Sequence, residues 1–124
     1  MDEIQEALKK FQKEMNGGTS SLVLLSVLGK AAQPMYGYQI AKLIETGSND
    51  AGIMKQGALY PVLRSMESTG LLESEVEPSV SGPPRRYYRI TAAGRTVLQK
   101  WTEIWQQAKQ FVDTILEGGE EDDK

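Results

Sequence analysis

The spacing of apolar residues changes in the second half of the chain, and this change constrains the fold more than any other sequence feature. Residues 56–69 carry apolar side chains at the i, i+3, i+4, i+7 spacing of a helix with one buried face; these are Leu59, Val62, Leu63 and Met66. Residues 71–77 are predicted as a strand instead, because apolar and acidic residues alternate towards their end. Residues 85–90 are predicted as a second strand, with Tyr88 and Ile90 on one face and Tyr87 and Arg89 on the other. A loop rich in proline, serine and glycine joins the two. A helix followed by a β-hairpin is therefore predicted.

Three further helices are predicted before this point. Residues 2–15 form an amphipathic helix, which Asn16-Gly17-Gly18 is expected to break. Residues 19–28 are apolar nearly all round, as in a buried central helix. Residues 36–46 form the third helix after a turn that contains Pro34. Consecutive short helices followed by a β-hairpin are typical of a winged helix-turn-helix.

The last predicted helix starts at its cap Thr91 and extends to about Leu116. Its apolar residues recur in steps of four and three, a heptad pattern, with a second row beside them. The first row is Val97, Trp101, Ile104, Ala108, Phe111 and Ile115, and the second is Leu98, Trp105 and Val112. The N-terminal helix, with Leu8 and Phe11 on its apolar face, could cover part of this stripe. A second subunit explains its width better and predicts a twofold dimer.

The predicted fold class is α+β, mainly α: a winged helix-turn-helix with an N-terminal helix and a long C-terminal dimerisation helix. Residues 1–18 are assigned to the N-terminal dimerisation helix and residues 19–90 to the DNA-binding domain. Residues 91–117 form the C-terminal dimerisation helix, and residues 118–124 an acidic, disordered tail.

Composition argues against most other functions. The chain has no cysteine and no histidine, which excludes disulfides, thiolate or imidazole metal sites and histidine-based catalysis. It has no glycine-rich phosphate loop and no nucleophile with a base beside it. No apolar run approaches the roughly 20 residues of a membrane span. We expect a cytoplasmic protein that is not an enzyme and binds no cofactor or metal.

The distribution of charge points to double-stranded DNA, although the formal net charge is −3. Nine basic and six acidic residues lie between Lys30 and Lys100, whereas Glu117–Lys124 carries five acidic residues and one lysine. The basic excess therefore coincides with the predicted DNA-binding domain.

Candidate DNA contacts lie on the helices and on the hairpin. The outer face of the predicted helix 56–69 carries Gly57, Tyr60, Arg64 and Ser68, and a recognition helix presents such a face to the major groove. The hairpin adds Arg85 and Arg86, and the third helix adds Tyr38 and Lys42 as phosphate contacts. The alternative is that these side chains are only solvated, in a winged-helix interaction module that dimerises without reading DNA.

Trp101 and Trp105 have two interpretations. Two indoles, doubled by dimer symmetry, could form a flat apolar cleft for a small aromatic effector. They could equally be part of the dimer core.

Four strings resemble the PadR family of transcription regulators. They are Pro34–Ile40 (PMYGYQI), Gln56–Leu63 (QGALYPVL), Gly82–Thr91 (GPPRRYYRIT) and Thr91–Gly94 (TAAG). The resemblance covers about residues 20 to 100, with the motifs in the family's order. Two positions depart from the family pattern: Ala58 stands where threonine or serine is usual, and Tyr36 where histidine is usual.

The resemblance implies a dimeric, usually autoregulating repressor. The twofold dimer predicted from the apolar stripe would bind a palindromic operator. DNA contacts would fall on Tyr38, Gln56, Gly57, Ala58, Tyr60, Arg64, Arg85 and Arg86. The single C-terminal helix resembles the shorter subgroup, whose multidrug-sensing members line an effector pore between subunits with a tryptophan. An ungapped alignment from Tyr87 places that tryptophan at Trp105, which makes it a better effector-site candidate than Trp101.

Overall fold

The computed structural model describes residues 2–48 and 56–118, which form four helices and three strands. The helices are α1 (Asp2–Lys30), α2 (Gly37–Ser48), α3 (Gln56–Ser68) and α4 (Ala92–Gly118). The strands are β1 (Met35–Tyr36), β2 (Leu72–Glu77) and β3 (Arg85–Ile90). The predicted mainly helical fold with a β-hairpin between the last two helices is confirmed. Of the predicted acidic tail, only Gly118 is among these residues, and it ends α4.

Helix α1 corrects one prediction, because it passes through Asn16-Gly17-Gly18 without a break. Neither glycine adopts a positive φ. Two side-chain hydrogen bonds span residues 12–19. The Gln12 amide donates to Asn16 Oδ1 (2.9 Å), and the Thr19 hydroxyl donates to the Met15 carbonyl (2.7 Å). Each mid-helix glycine costs about 1 kcal/mol relative to alanine. The packing of the following apolar turns outweighs that cost, so the boundary predicted at residue 18 is not a helix end.

Strand β1 is a second difference from the sequence prediction. Met35 and Tyr36 pair antiparallel with Tyr88 and Tyr87, which gives a three-stranded sheet in the order β1-β3-β2. A two-residue strand carries no periodicity, so only its pairing with β3 defines it.

The core of the described chain is built from apolar residues of α1, α2, α3, β2 and β3 and of the turn before β2. These residues are Leu24, Leu25, Leu28, Ile40, Ile44, Leu59, Leu63, Met66, Leu71, Leu72 and Tyr88. The predicted buried stripe of α3 is confirmed, with Val62 packed at the edge of this cluster. Pro61 lies in the second turn of α3, so the backbone bond that it cannot donate is lost close to the start of the helix and not in its middle.

The end of α3 and the start of α4 share one corner. Gly70 adopts a φ of 86°, and the amides of Gly70 and Leu71 donate to the carbonyls of Glu67 and Met66, as in a Schellman C-cap. Thr91 caps α4, because its Oγ1 accepts the Gly94 amide at 2.9 Å. The same hydroxyl donates to the Gly70 carbonyl at 2.7 Å. The predicted cap thus also fixes α4 to the end of α3.

Candidate nucleic-acid interface

The recognition helix α3 and the wing, which consists of β2, β3 and the loop between them, face each other across an open groove of about 600 Å³. We call it the reading groove; its lining residues are Tyr36, Gly37, Tyr38, Tyr60, Arg64, Glu67, Pro84, Arg85, Arg86 and Tyr88. Five predicted DNA contacts converge here from three different elements: Tyr38 from α2, Tyr60 and Arg64 from α3, and Arg85 and Arg86 from β3. The basic groups of the wing and the helix therefore point at one common surface.

Of the other predicted contacts, Lys42, Ala58 and Ser68 are not among the described residues that line the groove. Lys42 is exposed on α2, with its Nζ 6.0 Å from the centroid of the Tyr38 ring. Ala58 is exposed on α3, while Gln56 and Gly57 form the first turn of that helix. Ser68 is exposed at the other end, and its hydroxyl donates to the Ser65 carbonyl.

The two wing arginines are each held by a neighbour. The Arg85 guanidinium lies over the Tyr36 ring, 4.4 Å from its centroid, in cation–π geometry. The Tyr36 ring in turn packs edge-on against Tyr87, with 5.3 Å between the centroids. Arg86 Nη1 donates to Ser74 Oγ on the neighbouring strand at 2.9 Å. Tyr36, which departs from the family pattern, is therefore the support of Arg85.

Sequence reasoning missed several groups that shape this groove. Gly37 is one: a Cβ there would lie 2.5 Å from the Tyr60 hydroxyl and ring, so only glycine lets Tyr60 lie against the start of α2. Glu67 is another, a carboxylate inside a basic groove, which accepts a hydrogen bond from Ser74 Oγ at 2.6 Å. Ser74 lies opposite Tyr88 in the register of β2 and β3. Only that register, together with the end of α3, brings these groups together.

Tyr88, which is almost fully buried, also lines the groove. Burial is the main cause that raises the pKa of the Tyr88 phenol above its ordinary value of 10.0, and the Glu67 carboxylate raises it further. Arg86 and Arg64 act in the opposite direction without cancelling the shift. Tyr88 therefore stays neutral at physiological pH.

A second cleft of about 520 Å³ lies between α1 and α4. We call it the tryptophan cleft; its lining residues are Glu14, Met15, Gly18, Thr19, Ser21, Leu22, Trp101, Ile104, Trp105 and Ala108. Both predicted effector tryptophans are among them. Trp101 is half-buried and packs against the core, whereas Trp105 is 36% exposed.

The residues predicted for the dimer interface divide into two groups. Val97, Leu98 and Trp101 pack against the core of their own chain. Farther along α4, large apolar side chains are exposed, and α1 carries a matching row. These exposed residues are Ile104, Trp105, Phe111, Val112, Ile115 and Leu116 on α4, and Ile4, Leu8, Phe11 and Met15 on α1.

The described ranges 2–48 and 56–118 contain neither a metal site nor a membrane-spanning helix. No group of three or more acidic residues there is arranged to hold a metal ion. No helix in the same ranges combines the length and apolarity needed to cross a membrane.

Comparison with known proteins agrees with this geometry. The profile of the "Transcriptional regulator PadR-like family" matches residues 24–100. The crystal structure of a PadR family transcriptional regulator from Eggerthella lenta superposes with a TM-score of 0.76 at 33% identity, covering 94% of this chain and 98% of that one. A PadR family transcription regulator from Clostridium difficile superposes with a TM-score of 0.65 at 30% identity, covering 77% and 96%.

A sequence relative supports the same assignment. Transcriptional regulator Rv3488 of Mycobacterium tuberculosis is 52% identical over 62 residues, which span 50% of this chain and 54% of that protein. The family profile alone covers more than half of this chain and includes α2, α3 and the wing. The chain therefore belongs to the PadR-like family of transcriptional regulators, and it is a DNA-binding regulator rather than an enzyme.

Proposed function

We propose that the protein is a dimeric, ligand-responsive repressor of the shorter PadR subgroup that binds a palindromic operator in the cytoplasm. The observation that carries the DNA-binding part is the convergence of Arg64, Arg85 and Arg86 on the reading groove. Three guanidinium groups on one surface match the negative charge of duplex phosphates. Arg64, on the exposed face of α3, is placed to read a base edge in the major groove.

The exposed apolar rows of α1 and α4 support the dimerisation part of the proposal. These rows lie on the outer halves of two helices whose inner halves are packed in the core. Burial of apolar surface is the main driving force for association. In the proposed dimer the two α3 helices enter successive major grooves roughly 34 Å apart.

The DNA-binding proposal is tested with arginine substitutions on a duplex that the wild-type protein selects from a random library. Arg64→Ala is expected to weaken binding about 10-fold or more and to relax the preference at one base pair. Arg86→Ala is expected to weaken binding to all sequences alike and to lower the salt dependence, by about one unit of slope. Fluorescence anisotropy at several salt concentrations measures both effects.

Arg89→Ala is the matched control, because it removes the same charge from the same strand. Arg89 pairs instead with Glu73, its Nη2 lying 2.7 Å from the carboxylate, and it does not line the groove. We expect its affinity to stay close to that of the wild type. If the wild-type protein selects no duplex even at low salt, the result would favour the alternative, a winged-helix interaction module that does not read DNA.

The tryptophan cleft supports the ligand-responsive part of the proposal. Among the described residues that line it, Glu14 is the one with a charged side chain, and two indole rings flank an apolar surface. A carboxylate beside aromatic rings favours a planar cation over an anion. We therefore propose an aromatic cation as the effector, bound between α1 and α4.

Tryptophan fluorescence tests this site without DNA present. Titration with ethidium is expected to quench the tryptophan fluorescence. Titration with p-coumaric acid at the same concentrations is expected to leave it unchanged. Trp105→Phe should remove most of the response, and Glu14→Gln should weaken ethidium binding several-fold. Quenching that is equal for cation and acid, or unchanged in both variants, would count against the proposed site; N-acetyltryptophanamide controls for optical effects.

A further inference from the structure

The reading groove contains a carboxylate that its DNA-binding role does not explain. Glu67 lies on α3 one turn beyond Arg64 and is half-buried in the groove wall. A negative charge at this place opposes the approach of phosphates. Its side chain is engaged, because Ser74 Oγ donates to Glu67 Oε2 at 2.6 Å.

The hydrogen bonds between Glu67, Ser74 and Arg86 have one possible direction. A carboxylate only accepts and a guanidinium only donates. The Ser74 hydroxyl proton therefore goes to Glu67, and the lone pairs of Ser74 Oγ remain for Arg86 Nη1 at 2.9 Å. Glu67 thereby fixes Ser74 as the acceptor for Arg86, and this orientation cannot reverse.

This network joins the recognition helix to both strands of the wing. Glu67 belongs to α3, Ser74 to β2 and Arg86 to β3. In the sheet register, Ser74 is opposite Tyr88 and Arg86 is opposite Val76, so Ser74 and Arg86 are diagonal neighbours on one face. An arginine side chain held at one nitrogen loses rotamer freedom before DNA arrives, and four of its five N–H groups stay available.

We infer that Ser74 is a positioning residue for DNA binding, which holds Arg86 toward the duplex with its hydroxyl oriented by Glu67. The inference rests on the proposed role of Arg86 in DNA binding. Arg85 serves as the internal comparison, because the Tyr36 ring supports it and the network does not. Ser74 acts through Arg86 alone, so its contribution disappears when Arg86 is absent.

A double-mutant cycle tests the inference on the selected duplex. An exposed intramolecular hydrogen bond typically corresponds to an affinity change of about 3- to 10-fold, and Ser74→Ala is expected to weaken binding by that factor. In the Arg86→Ala background the same substitution should have no further effect. In the Arg85→Ala background it should retain its full effect. Ser74→Thr, which keeps the hydroxyl, should restore wild-type affinity.

The outcomes separate this inference from the proposed DNA interface. Equal losses from Ser74→Ala in the Arg86→Ala and wild-type backgrounds would show a general structural effect and overturn the inference while leaving the interface intact. Wild-type affinity in Ser74→Ala would overturn it as well. An Arg86→Ala variant that binds as well as wild type would overturn both the inference and the role of Arg86. Circular dichroism confirms that each variant is folded.

Discussion

Large apolar side chains are buried in the winged-helix part of the chain but exposed on the outer halves of α1 and α4. Leu24 and Leu63, in the winged helix, are completely buried. Phe11 and Phe111, on the outer halves, are 63% and 67% exposed. The first region completes its core within a single chain, whereas the second presents rows of large apolar residues to solvent.

The two regions should therefore be stabilised in different ways, one by contacts within the chain and the other by contacts with a second surface. The winged helix depends on contacts that form in every copy, so its stability should not depend on protein concentration. The outer helices gain apolar contacts only from another surface, and we propose a second copy as that surface. Substitutions in the two regions should therefore change different measurements.

The largest effect is expected from a charge placed on the outer apolar row of α4. Phe111→Glu should weaken the proposed dimer roughly 100-fold or more, because association would bury an unpaired carboxylate. Sedimentation velocity over a concentration series measures the change. Gln106→Glu is the matched control: it adds the same charge to the opposite face of the same helix and should leave the dimer intact.

If the wild-type protein is monomeric at micromolar concentration, the proposed dimer through the exposed apolar rows is wrong. A Phe111→Glu variant that sediments as the wild type does would contradict it as well. Either result would mean that the exposed rows have no partner of the proposed kind.

A core leucine and an outer leucine should differ in what they stabilise. Leu63→Ala is expected to lower the free energy of unfolding by about 3 kcal/mol, because Leu63 is fully buried. Leu8→Ala, at a site that is 66% exposed, should change it by less than about 0.5 kcal/mol. Urea titration in the Phe111→Glu background measures both without the contribution of association.

Leu8→Ala should then weaken the dimer in the otherwise wild-type chain. An equal loss of unfolding free energy from both substitutions in the monomeric background would contradict the division of the molecule into two regions.

The smallest effect is expected at the glycine pair in α1. Gly17→Ala and Gly18→Ala should each raise the free energy of unfolding by about 0.5–1 kcal/mol, since alanine favours helix and a Cβ at either position meets nothing within 4 Å. Gly18 lines the tryptophan cleft and Gly17 does not. Only Gly18→Ala should therefore weaken ethidium binding, measured by tryptophan fluorescence.

Equal binding of ethidium to the two glycine variants would argue that the cleft does not hold the ligand. Loss of helix stability in either variant, by urea titration, would instead show that the glycines are needed for the conformation of α1.

Local signals predicted the parts of the fold that local interactions determine. The stripe around Leu63, the cap at Thr91 and the strand 85–90 were all readable, because each depends on spacing or on a single side chain. The glycine pair misled the prediction for α1, since its signal for a break is weaker than the packing of the next turns. Strand β1 has too few residues to show a pattern.

The candidate site was predictable to a similar degree. Arg64 and Arg86 could be placed on exposed faces of their own elements, and the resemblance to a known family located them on the groove. Glu67 and Ser74 could not be connected from the sequence, because their contact depends on the end of α3 and on the strand register. The support of Arg85 by Tyr36 needs the same tertiary information.

The corner at which Thr91 joins α4 to the end of α3 has a mechanical consequence. Helix α4 has 27 residues and is therefore about 40 Å long. In the proposed dimer, the first turn of α4 is fixed to α3, so a rotation of each α4 by about 5° about its C-terminal end would move each copy of α3 by about 3.5 Å, roughly the rise of one base pair. A slight change in the angle between the two α4 helices of the proposed dimer would therefore shift both α3 helices out of register with the duplex.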